Sequence, residues 1–274
     1  MGQRTSIEWT EVTWNPTTGC TRVSQGCDNC YADALARRLL ERVYTRRPPV
    51  LDTPENRDDP FAVRVWPDRL AQPARWKKSR LVFVNSMSDL FHKDVPDEFV
   101  RETFSVMLDV DRHTYQVLTK RPARAARFVR QNADLFGMRG LPPHIWIGTS
   151  TENQQTAYRV GHLEDIPASV RFLSCEPLIG PLSLCNVWSP GGIHWVIVGG
   201  ESGPGRRPID PEWVTGLRDE CRAASIPFFF KQWGGRTPKS GGRALEGREW
   251  NEFPAPQRPR GSGAVLPHSQ EVCV

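Results

Sequence analysis

Short hydrophobic runs recur along the chain, and most of them are apolar at nearly every position rather than at alternate positions. They are Leu81–Asn85, Thr114–Thr119, His144–Ser150, Val170–Cys175, Trp195–Gly200 and Pro227–Gln232. Runs of this length that are rich in β-branched and aromatic residues predict strands that are buried on both faces, as in a parallel sheet. A further strand is predicted within Ile7–Asn15.

The segments between several of these runs predict helices. Tyr31–Val43 carries leucine and valine at helical spacing, and Asp97–Val110 begins with two acidic residues, which suit a helix N-terminus. Asp210–Ala224 begins with Asp210 as its N-cap, followed by proline in the first turn. Strands that alternate with helices predict an α/β fold. About six to seven such units favour a full or partial (β/α) barrel over an open doubly wound sheet.

The pattern divides the chain into a barrel domain and an extension. Residues 1–233 form the predicted domain, which is interrupted by an irregular Pro-, Arg- and Asp-rich excursion at 45–80. Residues 234–274 are rich in Gly, Pro and Arg and show no clear periodicity, so we interpret them as a C-terminal extension. We expect its end, from about Pro254, to be mobile.

The composition indicates a globular protein without a membrane segment. Hydrophobic residues make up 38% of the 274 positions and charged residues 24%, which permits a buried core. The first ten residues lack a signal-peptide pattern, and the apolar runs are too short to cross a bilayer. We therefore predict a cytoplasmic protein whose seven cysteines need not pair. The net charge of +5 permits contact with phosphates but does not require it.

Three cysteines form the strongest local motif. Cys20, Cys27 and Cys30 have the spacing C-x6-C-x2-C, directly after a predicted strand and directly before a predicted helix. Soft thiolates select zinc, copper(I) or an iron–sulfur cluster. A structural zinc site closes with four protein ligands, whereas a [4Fe–4S] cluster held by three cysteines keeps one iron open. The spacing leaves open a cluster, a zinc site completed by a distant histidine, and inert thiols.

Several blocks of sequence carry a family resemblance that covers most of the chain. They are Thr5–Thr10, Thr13–Pro16, Cys20–Ala32, Asn85–Phe91, Gln116–Pro122, Phe172–Leu178, Gly199–Gly203 and Phe228–Gly234. These blocks resemble an uncharacterised, phage-associated family that is similar to radical S-adenosylmethionine enzymes. The resemblance implies that Cys20, Cys27 and Cys30 hold a [4Fe–4S] cluster, which binds S-adenosyl-L-methionine. An external donor would supply the electron that generates a 5′-deoxyadenosyl radical.

A fainter resemblance links the chain to spore photoproduct lyase and its relatives, which repair a lesion in DNA. In that group strands end in Ser-Asp, in Thr-Lys and in Ser, and the matching positions here are Ser88, Asp89, Lys120 and Ser150. The resemblance implies that Lys120 contacts the methionyl carboxylate of the cofactor, with Ser88 and Ser150 nearby. It also implies a nucleic acid or nucleotide substrate. The lyase's hydrogen-donating cysteine has no counterpart beside Ser88, so the lyase reaction itself is not expected.

Charged residues follow the ends of successive predicted strands. They are Asp89, Lys120, Glu152, Glu176, Glu201 and Lys231. In a β/α barrel these ends meet at one mouth, so the pattern predicts a polar pocket there, with Glu176 among its cofactor ligands. Gly199 and Gly200 would permit close backbone approach, and Glu201 would accept an ammonium group. The following loop, 203–207, is either a phosphate site or a plain strand–helix connection.

Isolated residues suggest further roles. Cys175 ends a predicted strand beside Glu176 and is the candidate hydrogen donor, while His92 is a candidate fourth ligand or proton carrier. The tryptophans on or near strands either stack on a base or fill the core; they are Trp9, Trp14, Trp146, Trp195 and Trp233. Two other functions remain open. One is a zinc-binding nucleic-acid-binding module without catalysis, and the other is a cluster protein that binds the cofactor without radical chemistry.

Overall fold

A computed structural model describes residues 5–255 of the chain. The strands are β1 (Val12–Trp14), β2 (Thr17–Thr18), β3 (Arg64–Val65), β4 (Leu81–Val84), β5 (Thr114–Thr119), β6 (Ile145–Ser150), β7 (Arg171–Cys175), β8 (Trp195–Gly199), β9 (Phe228–Gln232), β10 (Ala244–Leu245) and β11 (Arg248–Glu249). The α-helices are α1 (Tyr31–Leu35), α2 (Glu41–Tyr44), α3 (Pro54–Asp58), α4 (Asp97–Asp109), α5 (Pro122–Gln131), α6 (Ala133–Phe136), α7 (Arg159–Glu164) and α8 (Pro211–Ala223). A π-helical turn, Ala36–Leu40, joins α1 to α2.

Within residues 5–255, seven parallel strands form one sheet in the order β1-β4-β5-β6-β7-β8-β9. This order follows the chain without a reversal. Since right-handed crossovers then all progress in the same direction, the sheet curls into a partial barrel with β1 and β9 at its edges. The predicted α/β barrel is confirmed, in its partial form.

The two faces of the sheet bury different cores. The outer face packs under the helices, whereas the inner face carries an aromatic cluster made of Trp9, Phe83, Trp146, Phe172, Trp195 and Phe229, with aliphatic neighbours. The rings of Trp9 and Phe83 have centroids 4.6 Å apart, and Trp146 meets Trp195 edge to face at 5.9 Å. Side chains alternate along a strand. The inward residues nearest the carboxyl ends, such as Ser150 and Lys231, therefore lie above this aromatic layer.

The predicted strands and helices all appear, with boundaries that shift by a residue or two. Asp210 caps α8 as expected, because its Oδ1 accepts the backbone N–H of Glu212 at 2.9 Å. Helices α5 and α7 were not predicted. Neither the excursion at 45–80 nor the start of the C-terminal extension is detached from the barrel. No helix within residues 5–255 is long and apolar enough to cross a membrane.

The excursion is held by one buried guanidinium group. Arg64 is fully buried beside the antiparallel pair β2–β3. Its side chain donates to the backbone carbonyls of Arg47, Asn56, Arg57, Asp59 and Ala62. In the extension, Leu245 and Trp250 join the outer core. Residues 256–274, which contain nearly all of the segment expected to be mobile, lie outside the described residues.

Candidate functional site

Residues 19–30, here called the cysteine loop, lie across the carboxyl ends of the strands. The loop begins where the Gly19 N–H donates to the Met87 carbonyl at 3.0 Å and the Cys20 N–H donates to Phe61 at 3.2 Å. Gly19 has φ +83°, and a Cβ atom there would lie 2.1 Å from the carbonyl oxygen of Ala62. Only glycine fits this position, so the loop is fixed between the end of β4 and the excursion.

The buried carboxylate of Asp89 organises the residues after β5. Its Oδ1 accepts the Phe91 N–H at 2.9 Å and the Thr119 hydroxyl at 2.7 Å. Its Oδ2 accepts the Lys120 N–H at 3.0 Å and the Arg121 guanidinium at 2.8 Å. With its acceptor sites filled by the protein, Asp89 acts here as a positioning residue for Arg121.

Arg121 and His92 hold the start of the cysteine loop through contacts with Cys20 and Thr21. Arg121 Nη1 lies 3.5 Å from the Cys20 Sγ, and Nη2 donates to the Thr21 carbonyl at 3.0 Å. His92 is fully buried, and its Nδ1 accepts the Asp94 N–H at 3.2 Å, so Nε2–H donates to the Thr21 hydroxyl at 2.7 Å. Burial, together with the Arg121 cation, lowers the pKa of His92 to about 4. His92 is therefore neutral and holds the loop.

The middle of the loop rests on Glu152, which is fully buried. Its carboxylate accepts the Ser24 hydroxyl at 2.9 Å and Arg159 Nη1 at 3.0 Å, and it pairs with the Lys120 ammonium. A Cβ atom on Gly26 would lie 2.4 Å from the Glu152 Cγ, which shows how closely the loop backbone approaches. Burial alone would raise the pKa of Glu152, but the charges of Lys120 and Arg159 outweigh it and hold that pKa below its usual value.

The end of the loop is tied to Glu201, just after β8. Glu201 Oε2 accepts the Asn29 amide at 2.9 Å, and Oε1 accepts Arg207 Nη2 at 2.7 Å. Arg207 also donates to the Gln25 carbonyl at 3.0 Å. Burial opposes ionisation of Glu201, yet these hydrogen bonds hold its pKa below the usual value. Because both carboxylate oxygens are engaged, Glu201 anchors the cysteine loop. Arg207 of the basic loop pairs with this carboxylate rather than with a phosphate.

The three thiols of the loop are its candidate metal ligands. Cys20, Cys27 and Cys30 are partly buried free thiols, and Cys27 interacts electrostatically with each of the other two. Burial, against the pull of Arg121, raises the pKa of Cys20 to about 11, so metal binding would displace protons. Among residues 5–255, no three His, Cys, Asp or Glu side chains are gathered closely enough to hold one ion.

A second ion pair lies on the inner face beside the loop. Glu176, after β7, pairs with Lys231 of β9, and their side chains are 20% and 15% exposed. The two side chains meet over Gly199 of the intervening strand β8. A Cβ atom added to Gly199 would lie 3.4 Å from the Glu176 side chain. At Gly200 a Cβ would lie 2.1 Å from the Trp233 carbonyl oxygen. The glycines thus permit close packing at the mouth, where their neighbours are protein groups.

Other predicted cofactor ligands reach the mouth but are engaged with the protein. The Ser88 hydroxyl lies 2.7 Å from the Thr17 hydroxyl and donates to the Thr17 carbonyl at 2.9 Å. Ser150 is buried on the inner face, at the end of β6. Lys120 is 21% exposed and bonded to Glu152. Their contacts with a cofactor stay predictions.

Cys175 lies on the wrong face of the sheet for the role predicted for it. Side chains alternate along β7, so Phe172 joins the inner cluster while Leu173 and Cys175 join the outer core under the helices. Burial raises the pKa of Cys175 well above its usual value. A hydrogen donor must reach the substrate, and this position gives Cys175 no such access. The structure therefore does not support that assignment.

We expect Cys175→Ala to cost stability without slowing the reaction. Removing a buried sulfur atom leaves a small void, which should lower the free energy of unfolding by about 1–2 kcal/mol. The rate of 5′-deoxyadenosine release should stay within about twofold, since the thiol lies outside the mouth. Urea denaturation measures the free energy of unfolding, and an anaerobic assay measures the rate of 5′-deoxyadenosine release. A folded variant that loses most of its activity would restore the hydrogen-donor hypothesis.

The arginines that hold the loop were missed from the sequence. Arg121 follows the predicted Lys120 directly, and Arg159 lies on the unpredicted helix α7. Arg207 was noted only as part of a basic loop. Each of these arginines pairs with a carboxylate that the sequence had singled out. The need of a buried carboxylate for a nearby cation was therefore the signal that could have indicated them.

Comparison with known proteins gives a family and a distant structural likeness. Residues 4–254 match the model of a family described as "Protein of unknown function (DUF5131)". No curated protein matches the chain. Among solved structures, a mutant of spore photoproduct lyase is similar at 12% identity and a TM-score of 0.48, covering 84% of this chain and 78% of that chain.

Proposed function

We propose that this chain, which belongs to the DUF5131 family of proteins of unknown function, is a radical S-adenosylmethionine enzyme. The observation that carries the proposal is the cysteine loop, which lies over the mouth of a partial barrel. Asp89, through Arg121, and Glu152 and Glu201 anchor it at three points from three different strand ends. Residues at the carboxyl ends of such strands converge on one site.

In this proposal Cys20, Cys27 and Cys30 hold a [4Fe–4S] cluster. When bound, such a cluster would pass one electron from an external donor to S-adenosylmethionine, which would split into methionine and a 5′-deoxyadenosyl radical. The chain's own residues prepare the site. Arg121 places a positive charge beside Cys20, which favours its thiolate. The aromatic cluster fills the inner face below the mouth with buried apolar side chains, which limits water there.

The charged groups of the mouth suit the amino and carboxylate groups of the cofactor. Lys120 is the cation best placed to bind the carboxylate, because its ammonium is partly exposed and Arg159 would still neutralise Glu152 when Lys120 turns away. Glu176 is the better acceptor for the ammonium group, since Glu201 is already held by Asn29 and Arg207.

A zinc-binding module is the weaker alternative. Zinc needs a fourth ligand and sulfur atoms at about 2.3 Å from one centre. His92 is the imidazole that contacts the loop, and its Nε2 is used by Thr21. The engagement of this imidazole favours the cluster over a zinc site.

Anaerobic reconstitution with iron and sulfide tests the proposal. We expect about four irons per chain, a brown protein with visible charge-transfer absorption, and release of 5′-deoxyadenosine after dithionite and S-adenosylmethionine are added. A colourless protein with one zinc that leaves the cofactor intact would contradict the proposal and favour the zinc module. A reconstituted protein that binds the cofactor without cleaving it would favour a cluster protein without radical chemistry.

A further inference from the structure

The helical segment that follows Cys30 carries a row of free positive charges. Arg38, Arg42 and Arg46 recur every fourth residue and are all exposed. Arg38 lies in the π-helical turn, Arg42 lies in α2, and Arg46 lies in the turn just after α2. Within residues 5–255 none of the three forms an ion pair or a side-chain hydrogen bond, whereas their neighbour Arg37 pairs with Asp33 at 2.6 Å. The row is therefore available to an external anion.

An exposed aromatic ring lies at the start of the same segment. Tyr31 directly follows Cys30 and is 57% exposed. Its hydroxyl donates to the Ser86 carbonyl at 2.5 Å, so the ring is anchored at one end while much of its surface is open. Leu39 and Val43, at 62% and 44% exposed, add apolar surface next to the arginines. An anchored ring loses little conformational entropy when a planar group stacks on it.

We propose that a single strand of nucleic acid binds along this segment, with its phosphates on Arg38, Arg42 and Arg46 and an unpaired base stacked on Tyr31. Unpaired cations attract phosphates, and an aromatic platform beside a basic path is typical of sequence-tolerant single-strand binding. Since Tyr31 adjoins Cys30, the stacked base lies beside the mouth of the barrel.

This proposal names the substrate class of the proposed enzyme. The claim that the bound strand is the substrate rests on the proposed function, because a base beside Cys30 can react only if the loop carries the cofactor. The claim that the strand binds this surface does not, since the arginines and Tyr31 need no metal to bind it. A duplex fits less well, because a paired base has no free face for Tyr31.

Fluorescence anisotropy of the full reconstituted chain tests the surface, using a labelled oligothymidylate of about fifteen nucleotides at several salt concentrations. The triple variant Arg38→Ala, Arg42→Ala, Arg46→Ala should bind roughly tenfold or more weakly at low salt, and the slope of log affinity against log salt should become shallower by about 2. Tyr31→Ala should weaken binding roughly tenfold with an unchanged slope. Tyr31→Phe should retain most of the affinity, because it keeps the ring.

The matched control removes the same charge elsewhere. Arg127, Arg130 and Arg139 are exposed on and beyond α5, and their triple alanine variant should leave both affinity and slope unchanged. Equal losses in both triple variants, or no binding by the unaltered chain, would overturn the proposal. The second result would favour an acidic protein as partner. A chain that binds the oligonucleotide but does not cleave the cofactor would overturn the proposed function alone, and the reverse would overturn this surface alone.

Discussion

Cys27→Ala should abolish the cluster and the chemistry while leaving the chain folded. We expect iron in the reconstituted protein to fall from about four per chain to below about one, and 5′-deoxyadenosine release to fall by more than about 100-fold. Cys27 is the thiol that interacts with both Cys20 and Cys30. The loop is held by Asp89, Glu152 and Glu201 rather than by this thiol, so its backbone should persist. Iron and sulfide analysis, visible absorption and chromatography of the nucleoside measure the effect.

Cys221→Ala is the matched control for the loss of one thiol. Cys221 is buried in the outer core on α8, away from the loop. Its variant should retain the full iron content and rate, with a modest loss of stability from the small void. If Cys27→Ala kept four irons and normal cleavage, the three-cysteine cluster would be refuted, whatever the family resemblance suggests.

The sheet could be predicted from the sequence because its strands are encoded locally. β5 and β8 are rich in β-branched and aromatic residues, and few local structures other than a buried strand suit such runs. Helix α5 was missed because its buried face includes the small residues Ala125 and Ala126 among arginines, which weakens the apolar period. Helix α7 has only six residues, too few for a period to show.

The positions of the site could be predicted, but their partners could not. The carboxylates at strand ends were found because barrel topology brings those ends together. Their partners lie far away in the chain: Ser24 meets Glu152 across 128 residues, and Asn29 meets Glu201 across 172. No local pattern records such contacts. Cys175 was proposed as the hydrogen donor from its place at a strand end alone, because a strand that is apolar on both faces does not reveal which side chains point inward.

Among single substitutions of the polar residues at the mouth, Glu152→Gln should destabilise the protein most. The carboxylate is fully buried between Lys120 and Arg159, and Arg159 is itself only 1% exposed. A neutral amide leaves Arg159 uncompensated in a medium of low dielectric constant and Lys120 without its partner, and breaking a buried ion pair in this way typically costs about 3–5 kcal/mol. We expect a loss of this size in the free energy of unfolding, measured by urea denaturation at neutral pH.

The pH dependence should identify the charge itself as the cause. The pKa of Glu152 is lower in the folded chain than in the unfolded chain, so its contribution is complete above the unfolded value of about 4.3 and is lost as the pH falls through the folded value. The stability of the unaltered chain should therefore fall below about pH 4.3 more steeply than that of Glu152→Gln. Glu98→Gln, on the exposed face of α4, should match the unaltered chain.

A double variant distinguishes the lost charge from the lost shape. Lys120→Met alone should be destabilising. Combined with Glu152→Gln, it removes one of the two cations that have lost their carboxylate partner, so the double variant should recover part of the stability that Glu152→Gln loses. Recovery would show that uncompensated charge dominates the cost. If the double variant were as unstable as the sum of the two single variants, the ion pair would contribute nothing, and the effect would come from the Ser24 hydrogen bond and the close contact with Gly26. In that case Glu152 would anchor the cysteine loop by packing, and Lys120 would be free to bind a cofactor without any loss of stability.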